Sequence, residues 1–206
     1  MIINFIIIAI TVIVSILAWN QQDLFSKLKF NPYITKERKE YWRLVSYGLI
    51  HADWVHLLVN MFVLYSFGNL VTQYFELLFP GRSVFYYLIL YIGGLLMASA
   101  PGFGRHKNNP YYNAVGASGA VSAVLFSSIV FNPMNKIYLF FFPIGIPAVV
   151  FGILYLIYSV YMDKKGKDNV GHDAHFWGGV FGFLVTIALK PGLFLHFINE
   201  ILAPLQ

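Results

Sequence analysis

The chain has 206 residues, of which 58% are hydrophobic and only 11% are charged. Soluble domains carry about 25% charged residues, so this composition excludes an ordinary soluble fold and indicates a protein embedded in the lipid bilayer. The net charge of +5 is scattered over the loops without a nucleic-acid motif, so we expect contact with anionic lipid headgroups and no nucleic-acid partner. The absence of cysteine excludes disulfides, a thiolate nucleophile and a sulfur-ligated metal site.

Six apolar segments are predicted to cross the membrane as helices, since a helical span needs about 20 predominantly apolar residues. The first has no Lys or Arg before it and is longer than a signal-peptide core, so we expect it to be a retained span. The fourth is short and should be shielded by its neighbours. The fifth contains Pro143 and Pro147 and should be kinked or begin irregularly. The predicted spans are 2–19, 56–74, 84–100, 118–131, 137–161 and 175–189, followed by an interfacial tail, 191–206.

The loops of this single all-α polytopic membrane domain are uneven. The first loop, 20–55, is long and rich in apolar and aromatic residues, so it should fold on itself and rest partly in the membrane interface. The third and fifth loops lead directly into Ser118 and His175. If the six spans alternate, the first, third and fifth loops share one face of the membrane. Ser118 and His175 would then begin their helices on the same face, and a Ser–His pair becomes possible.

His56 and Asn60 are four residues apart, which places them one turn apart on the same helix face. Neither side chain is easily buried in hydrocarbon without a partner. Two converging donors are suited to an oxyanion site, whereas the alternative is a hydrogen-bond clamp between helices. Metal ligation together with His51 is a third possibility, but no His-x-x-x-His, Cys or paired carboxylate completes a ligand set. We expect no metal and no other cofactor.

A small-residue elbow, Gly116-Ala117-Ser118-Gly119, stands where a polar loop gives way to the fourth span. With a base nearby, Ser118 would be a nucleophile at the membrane. Without one, the elbow would be a packing patch that uses Gly119 and Ala123, as small residues commonly do between membrane helices. The local sequence leaves both interpretations open.

His175 is followed by Gly178 and Gly182, at i+3 and i+7 on the same helix face. This glycine stripe would let the sixth helix approach the fourth closely and bring an imidazole to the serine. The alternative is an interfacial histidine that caps the start of its own helix, and His172 is a competitor one turn earlier. We favour His175 because it shares the glycine face.

Together these motifs resemble the rhomboid family of intramembrane serine proteases over most of the chain. The resemblance rests on their order along the predicted first loop and the second, fourth and sixth helices. The residues that carry it are Trp42-Arg43, His51-x-x-x-x-His56-Leu-Leu-Val-Asn60, Gly116-Ala117-Ser118-Gly119, and Ala174-His175-Phe-Trp-Gly178 with Gly182.

The resemblance implies a six-helix bundle with a Ser–His dyad, in which Ser118 attacks the scissile carbonyl and His175 is general base, then acid. It implies an oxyanion hole from His56, Asn60 and the backbone N–H of Ser118. His51 would belong to the hydrogen-bond network of the site, and Trp42 and Arg43 would stabilise the first loop. The substrates would be transmembrane proteins, cut near a membrane boundary.

Two further features bear on this dyad. Asp173, at i−2, points away from the imidazole face and no other carboxylate lies in the spans near His175, which favours a dyad over a triad. Rhomboids commonly have an aromatic residue four positions after the nucleophile, on which the catalytic imidazole stacks, whereas this chain has Ser122. Another ring would then orient His175, such as Phe176, Trp177 or one from the fifth helix.

Orientation and location rest on separate arguments. The family orientation, which we adopt, has a cytoplasmic N-terminus and a site that opens to the other side. Eleven of the fourteen Lys and Arg residues lie on the first, third and fifth loops, and the positive-inside rule would place those loops in the cytoplasm instead. A bare six-span core leads us to expect a prokaryotic cell (inner) membrane. The sequence indicates no oligomeric state.

Two other functions remain open. One is a catalytically inactive rhomboid-like protein that binds membrane segments. Such relatives lack the serine or the histidine, both of which are present here, and only Ser122 favours this hypothesis. The other is a small polytopic transporter, which predicts internal repeats or broken helices in matching halves, and none is apparent.

Overall fold

A computed structural model describes residues 2–139, 142–166 and 170–203 of the chain. Within these ranges the protein is helical apart from one antiparallel hairpin. A short 3₁₀ turn, Tyr47–Leu49, follows the fourth helix. The helices and strands are, in chain order, α1 (Ile2–Asn20), α2 (Gln22–Leu28), α3 (Pro32–Glu37), α4 (Arg43–Ser46), α5 (Trp54–Leu78), α6 (Ser83–His106), α7 (Ser118–Phe131), β1 (Lys136–Leu139), β2 (Phe142–Pro147), α8 (Ala148–Lys165), α9 (His172–Leu189) and α10 (Gly192–Leu202).

Helix α7 is the centre of the bundle. Every residue from Gly119 to Phe131 is buried, because α5, α6, α8, α9 and α10 all pack against it. Its 14 residues give a length of about 21 Å, shorter than the roughly 30 Å of a bilayer core. The expectation that the fourth apolar segment is short and shielded by its neighbours is therefore confirmed.

The outer helices supply the membrane-crossing length. Helices α1, α5 and α6 are each long and apolar enough to cross a bilayer. Helices α9 and α10 reach that standard only as a pair, and they are bent by 114° at the break between them. The protein is thus an all-α polytopic membrane protein. An interfacial position of the tail stays a prediction, and residues 204–206 lie outside the described part of the chain.

Helix α1 buries small and polar side chains, while Ile2, Ile6, Ile10 and Ile13 are exposed and Ile3, Ile7 and Ile8 pack partly buried against the core. Its buried residues are Asn4, Thr11, Ser15 and Ala18. Asn4 donates to the Leu64 carbonyl oxygen at 3.0 Å and to Asn69 Oδ1 at 3.1 Å, and its own Oδ1 accepts from the Tyr87 hydroxyl at 2.7 Å. Because lipid is as apolar as an isoleucine side chain, polar bonds and close packing, rather than apolar burial, join α1 to α5 and α6.

The first loop folds on itself through Arg43. This side chain is only 5% exposed, and its guanidinium donates to Glu40 at 2.6 Å and to the carbonyl oxygens of Ser26 at 3.0 Å and Lys29 at 2.9 Å. A buried cation is stable only when its hydrogen bonds are made, and here they tie α4 to the end of α2. Trp42, the preceding residue, is half-exposed.

The predicted fifth span is wrong over its first part. A helix was expected over 137–161, but Ile137 pairs with Ile146 and Lys136 with Pro147 in the β1–β2 hairpin, and α8 begins only at Ala148. Proline lacks a backbone N–H and fixes φ, so the two prolines of this segment disfavour a helix interior. The prolines predicted an irregular start to this helix. The structure has a β-hairpin there instead.

Glycines bring α7 and α9 into backbone contact. A Cβ at Gly178 would overlap the carbonyl oxygen of Gly119, and a Cβ at Gly182 would overlap that of Ala123. The contact moves from Gly119 to Ala123 along α7 and from Gly178 to Gly182 along α9. Both steps are four residues towards the C-terminus, so α7 and α9 run parallel. Helix α6 also packs closely on α7, since a Cβ at Gly94 would lie only 2.9 Å from the Ala120 Cα.

This packing predicts opposite effects for two Gly→Ala changes in helices. Gly182→Ala would force α9 away from α7 and should lower the free energy of unfolding by about 1–3 kcal/mol. Gly104→Ala is the matched control, because the space around Gly104 is open. It should leave stability unchanged or raise it by about 0.4–1 kcal/mol. Thermal unfolding in detergent micelles measures both, and equal midpoints for the two variants would contradict the close contact.

Candidate active site

Ser118 is the first residue of α7 and the only residue of that helix that is not buried. The chain enters α7 through Gly116, whose φ of +114° belongs to the region that glycine adopts readily. A Cβ at Gly116 would lie 2.5 Å from Cε1 of the His56 ring. The Gly116 N–H donates to the Tyr47 carbonyl oxygen at 3.0 Å. Gly116 is therefore required both for the turn into the helix and for contact with His56.

His51 connects this elbow to α1. The Ala117 N–H donates to His51 Nε2 at 3.3 Å, so the ring proton is assigned to Nδ1, which donates to Ser15 Oγ at 3.1 Å. Ser15 in turn donates to the Leu49 carbonyl oxygen at 3.1 Å, and the Trp19 indole donates to the His51 carbonyl oxygen at 2.8 Å. The neutral imidazole is thus fixed in one tautomer against the residue that precedes Ser118.

His56 and Asn60 lie one turn apart near the start of α5, as the spacing predicts. The His56 ring is partly exposed and meets the His51 ring edge-to-face, with centroids 4.9 Å apart. Asn60 is buried, and its side-chain amide donates to the His56 carbonyl oxygen at 2.9 Å. The Asp53 carboxylate caps the helix by accepting from the His56 backbone N–H at 2.8 Å. Through Gly116, His56 is adjacent to the serine elbow.

His175 lies in the first turn of α9 and is partly exposed. A Cβ built at Gly119 would lie 3.4 Å from the Ala174 carbonyl oxygen. Gly119 directly follows Ser118, and Ala174 directly precedes His175. The parallel packing of the two helices therefore brings the serine and the histidine to the same end of the bundle.

An aromatic ring lies beside His175. The resemblance led us to expect that ring four residues after Ser118, but that position is Ser122, and the ring comes from another helix. The Tyr155 ring of α8 stacks on the His175 ring at a centroid distance of 6.0 Å and an angle of 24°. Its hydroxyl is 2.8 Å from Ser122 Oγ. Phe176 and Trp177 pack edge-to-face on each other. Of the rings expected from the sequence, the one from the fifth span contacts the imidazole.

The acidic residue nearest to His175 in sequence is bound elsewhere. The Asp173 carboxylate pairs with Arg105 at the end of α6, and Arg105 also contacts Asp163 of α8 at 3.3 Å. This cluster joins three helices on the loop face. His172 is buried, with its ring 5.9 Å from that of His175 and 5.7 Å from that of Tyr158.

Comparison with known proteins decides the family. The family model described as the Rhomboid domain matches residues 38–192, which is most of the chain. The chain belongs to the rhomboid family. All of the residues that carried the resemblance fall within the matched range.

This rhomboid is similar to two named relatives. RHOMBOID-like protein 12, mitochondrial, from Arabidopsis thaliana is 29% identical over 161 residues, which cover 73% of this chain and 47% of the relative. Rhomboid protease GluP from Bacillus subtilis (strain 168) is 27% identical over 158 residues, which cover 75% of this chain and 28% of the relative. The chain therefore spans less than half the length of either relative.

The relatives also bear on the location of the protein. One is a plant mitochondrial protein and the other is bacterial. Family and fold together support an integral membrane protein, and the expected prokaryotic inner membrane has no support from these relatives.

The buried His51 predicts an acid-sensitive fold. Burial, and to a smaller extent the neighbouring His56, lower the pKa of His51 from 6.5 to about 3. Between these values the unfolded chain binds a proton that the folded chain does not, so stability is full above pH 6.5 and falls as the pH decreases towards 3. We expect the unfolding midpoint of wild type to fall more between pH 7.5 and 4.5 than that of His51→Gln, which cannot titrate. Parallel curves for the two proteins would refute this assignment.

Proposed function

We propose that this rhomboid is an intramembrane serine endopeptidase that hydrolyses peptide bonds of transmembrane protein substrates. The observation that carries the proposal is the position of Ser118. It is the one accessible residue of an otherwise buried helix, at the end where α9 brings His175. A partly exposed serine at the same end of the bundle as a histidine is the arrangement from which nucleophilic catalysis can be built, and this supports the proposal.

In the proposed reaction Ser118 Oγ attacks the scissile carbonyl carbon while His175 accepts the hydroxyl proton. The tetrahedral intermediate collapses when His175 returns that proton to the leaving amine, and an acyl-enzyme on Ser118 remains. A water molecule, deprotonated by His175, then attacks the ester carbonyl, and the proton passes back to Ser118 Oγ. The pairing of Asp173 with Arg105 supports a dyad rather than a triad.

The oxyanion hole is proposed to consist of His56, Asn60 and the backbone N–H of Ser118. First-turn N–H groups have no acceptor within their own helix, and the N-terminus of α7 carries a partial positive charge. Both features favour a developing oxyanion at Ser118. The contact between Gly116 and the His56 ring supports a position for His56 beside this end of α7.

The remaining site residues are proposed to support this arrangement. His51 would hold the elbow, and Arg43 with Trp42 would hold the first loop. Gly116 would shape the turn, while Gly119, Gly178 and Gly182 would keep α7 and α9 in contact. Ser122, in place of the aromatic residue common in rhomboids, was the feature that favoured an inactive binder. That argument is weaker now, because the Tyr155 ring stacks on His175. No observation favours a transporter.

The first test removes the dyad. Ser118→Ala and His175→Ala should each abolish cleavage of a model transmembrane substrate by the purified protein. Both should fold like wild type, because Ser118 and His175 are partly exposed at the starts of their helices and neither truncation opens a cavity in the core. Ser128→Ala is the matched control on the same helix, since its hydroxyl donates to the Leu125 carbonyl oxygen at 2.6 Å, and it should cleave normally. Cleavage that survives Ser118→Ala would exclude the proposed nucleophile.

A second test addresses the oxyanion hole. Asn60→Ala and His56→Ala should each lower kcat by about 10²- to 10³-fold, the usual effect of losing one donor to the oxyanion. Ser66→Ala, an exposed position on the same helix whose hydroxyl bonds the Phe62 carbonyl oxygen, is the control. If Asn60→Ala and His56→Ala keep the wild-type kcat, these side chains do not stabilise the oxyanion.

A further inference from the structure

We infer that Tyr155 is the positioning residue for His175, and that its hydrogen bond to Ser122 fixes it there. This inference rests on the proposed function. Ser122 lies one helical turn after Ser118 and is buried. Its small side chain leaves the space over α7 that the Tyr155 ring of α8 occupies.

Ring geometry favours a single orientation of the imidazole. The Tyr155 and His175 rings are inclined by only 24° at 6.0 Å, within the range of offset-stacked aromatic pairs. Tyr155 also packs against Phe126 of α7 at 5.9 Å and against Phe151 of its own helix at 6.0 Å. These contacts restrict the plane of the Tyr155 ring. Stacking then restricts the plane of the His175 ring, so that the imidazole does not rotate freely.

The hydroxyl contact explains how a ring on α8 stays in register with α7. Helix α8 buries Ala148, Gly152 and Ser159, while Tyr155 is only partly buried, so a specific contact is needed to fix its ring against α7. A tyrosine hydroxyl and a serine hydroxyl inside an apolar bundle each need a partner, and here they partner each other at 2.8 Å. The pair therefore joins α8 to α7 directly beside the dyad.

The consequence is a division of roles between helices. Elsewhere in the family an aromatic residue at the position of Ser122 would place the ring on the same helix as the nucleophile. In this chain the ring comes from a different helix, and a bulky side chain at position 122 would occupy its place. The orientation of His175 then depends on α8 remaining against α7. Tyr155 itself is a positioning residue, because it acts through the base.

The test compares kcat and KM for a model transmembrane substrate across four variants. Tyr155→Leu removes the ring and should lower kcat by about 10- to 100-fold with KM unchanged, because the base is misplaced while substrate contacts are kept. Tyr155→Phe keeps the ring and should restore most of that loss, leaving a decrease of about 2- to 10-fold for the missing hydrogen bond. Ser122→Ala should give the same decrease, and Tyr155→Phe combined with Ser122→Ala should lose no more than either single change.

The matched control is Tyr161→Leu, an exposed tyrosine on the same helix that lies next to Lys165. It should cleave like wild type. Thermal unfolding in detergent identifies any variant that misfolds. If Tyr155→Leu is among them, Tyr155→Phe and Ser122→Ala still decide the question, since each deletes a single oxygen.

The outcomes separate the two proposals. Labelling of Ser118 by a fluorophosphonate probe is measured in parallel with cleavage. A wild-type protein that neither cleaves nor is labelled contradicts the protease itself. Two results would contradict only the positioning by Tyr155. In the first, wild type is active and Tyr155→Leu folds and has the same kcat. In the second, the decreases in kcat caused by Tyr155→Phe and Ser122→Ala multiply in the double variant.

Discussion

The backbone contact between α7 and α9 is the constraint on which the site depends. At Gly178 and Gly182 no side chain separates the helices, and the carbonyl oxygens of Gly119 and Ala123 occupy the space where a Cβ would stand. Membrane helices gain little from burying apolar surface against one another, so such close packing is their main source of cohesion. One register then fixes both the parallel direction and the common end at which Ser118 and His175 begin their helices.

The residue before the serine is held by a chain of hydrogen bonds that links three separate segments. Ser15 of α1, His51 of the first loop and Ala117 of the elbow are linked through a single neutral imidazole. A protonated ring would present a second donor to the Ala117 N–H, so this link requires the low pKa that burial produces. The long first loop, internally tied by Arg43, is therefore part of the frame of the site.

Local patterns were sufficient to predict those parts of the protein that depend on short-range chemistry. Glycine spacing indicated the face of α9, and the length of the fourth apolar segment indicated a shielded helix. The β1–β2 hairpin was not predictable in this way, since strand pairing across 136–147 depends on contacts that proline positions alone do not specify. The sequence limited the ring that contacts His175 to Phe176, Trp177 or an aromatic residue of the fifth span. Which aromatic residue of α8 faces α7 is decided by tertiary packing. Ser122 was the available signal, because a buried hydroxyl in an apolar helix requires a partner.

These elements place the two members of the proposed dyad under different kinds of restraint. The backbones of Ser118 and His175 are related through the direct contact between the buried helix α7 and the glycine face of α9. The plane of the His175 ring is instead set by Tyr155, which α8 holds against α7 through the hydroxyl pair with Ser122 and the ring contact with Phe126. Loss of the Tyr155 ring would release the orientation of the His175 ring while leaving the backbone contact between α7 and α9 in place. The backbone positions of the proposed dyad therefore depend on the contact between α7 and α9, whereas the orientation of the His175 ring depends on Tyr155.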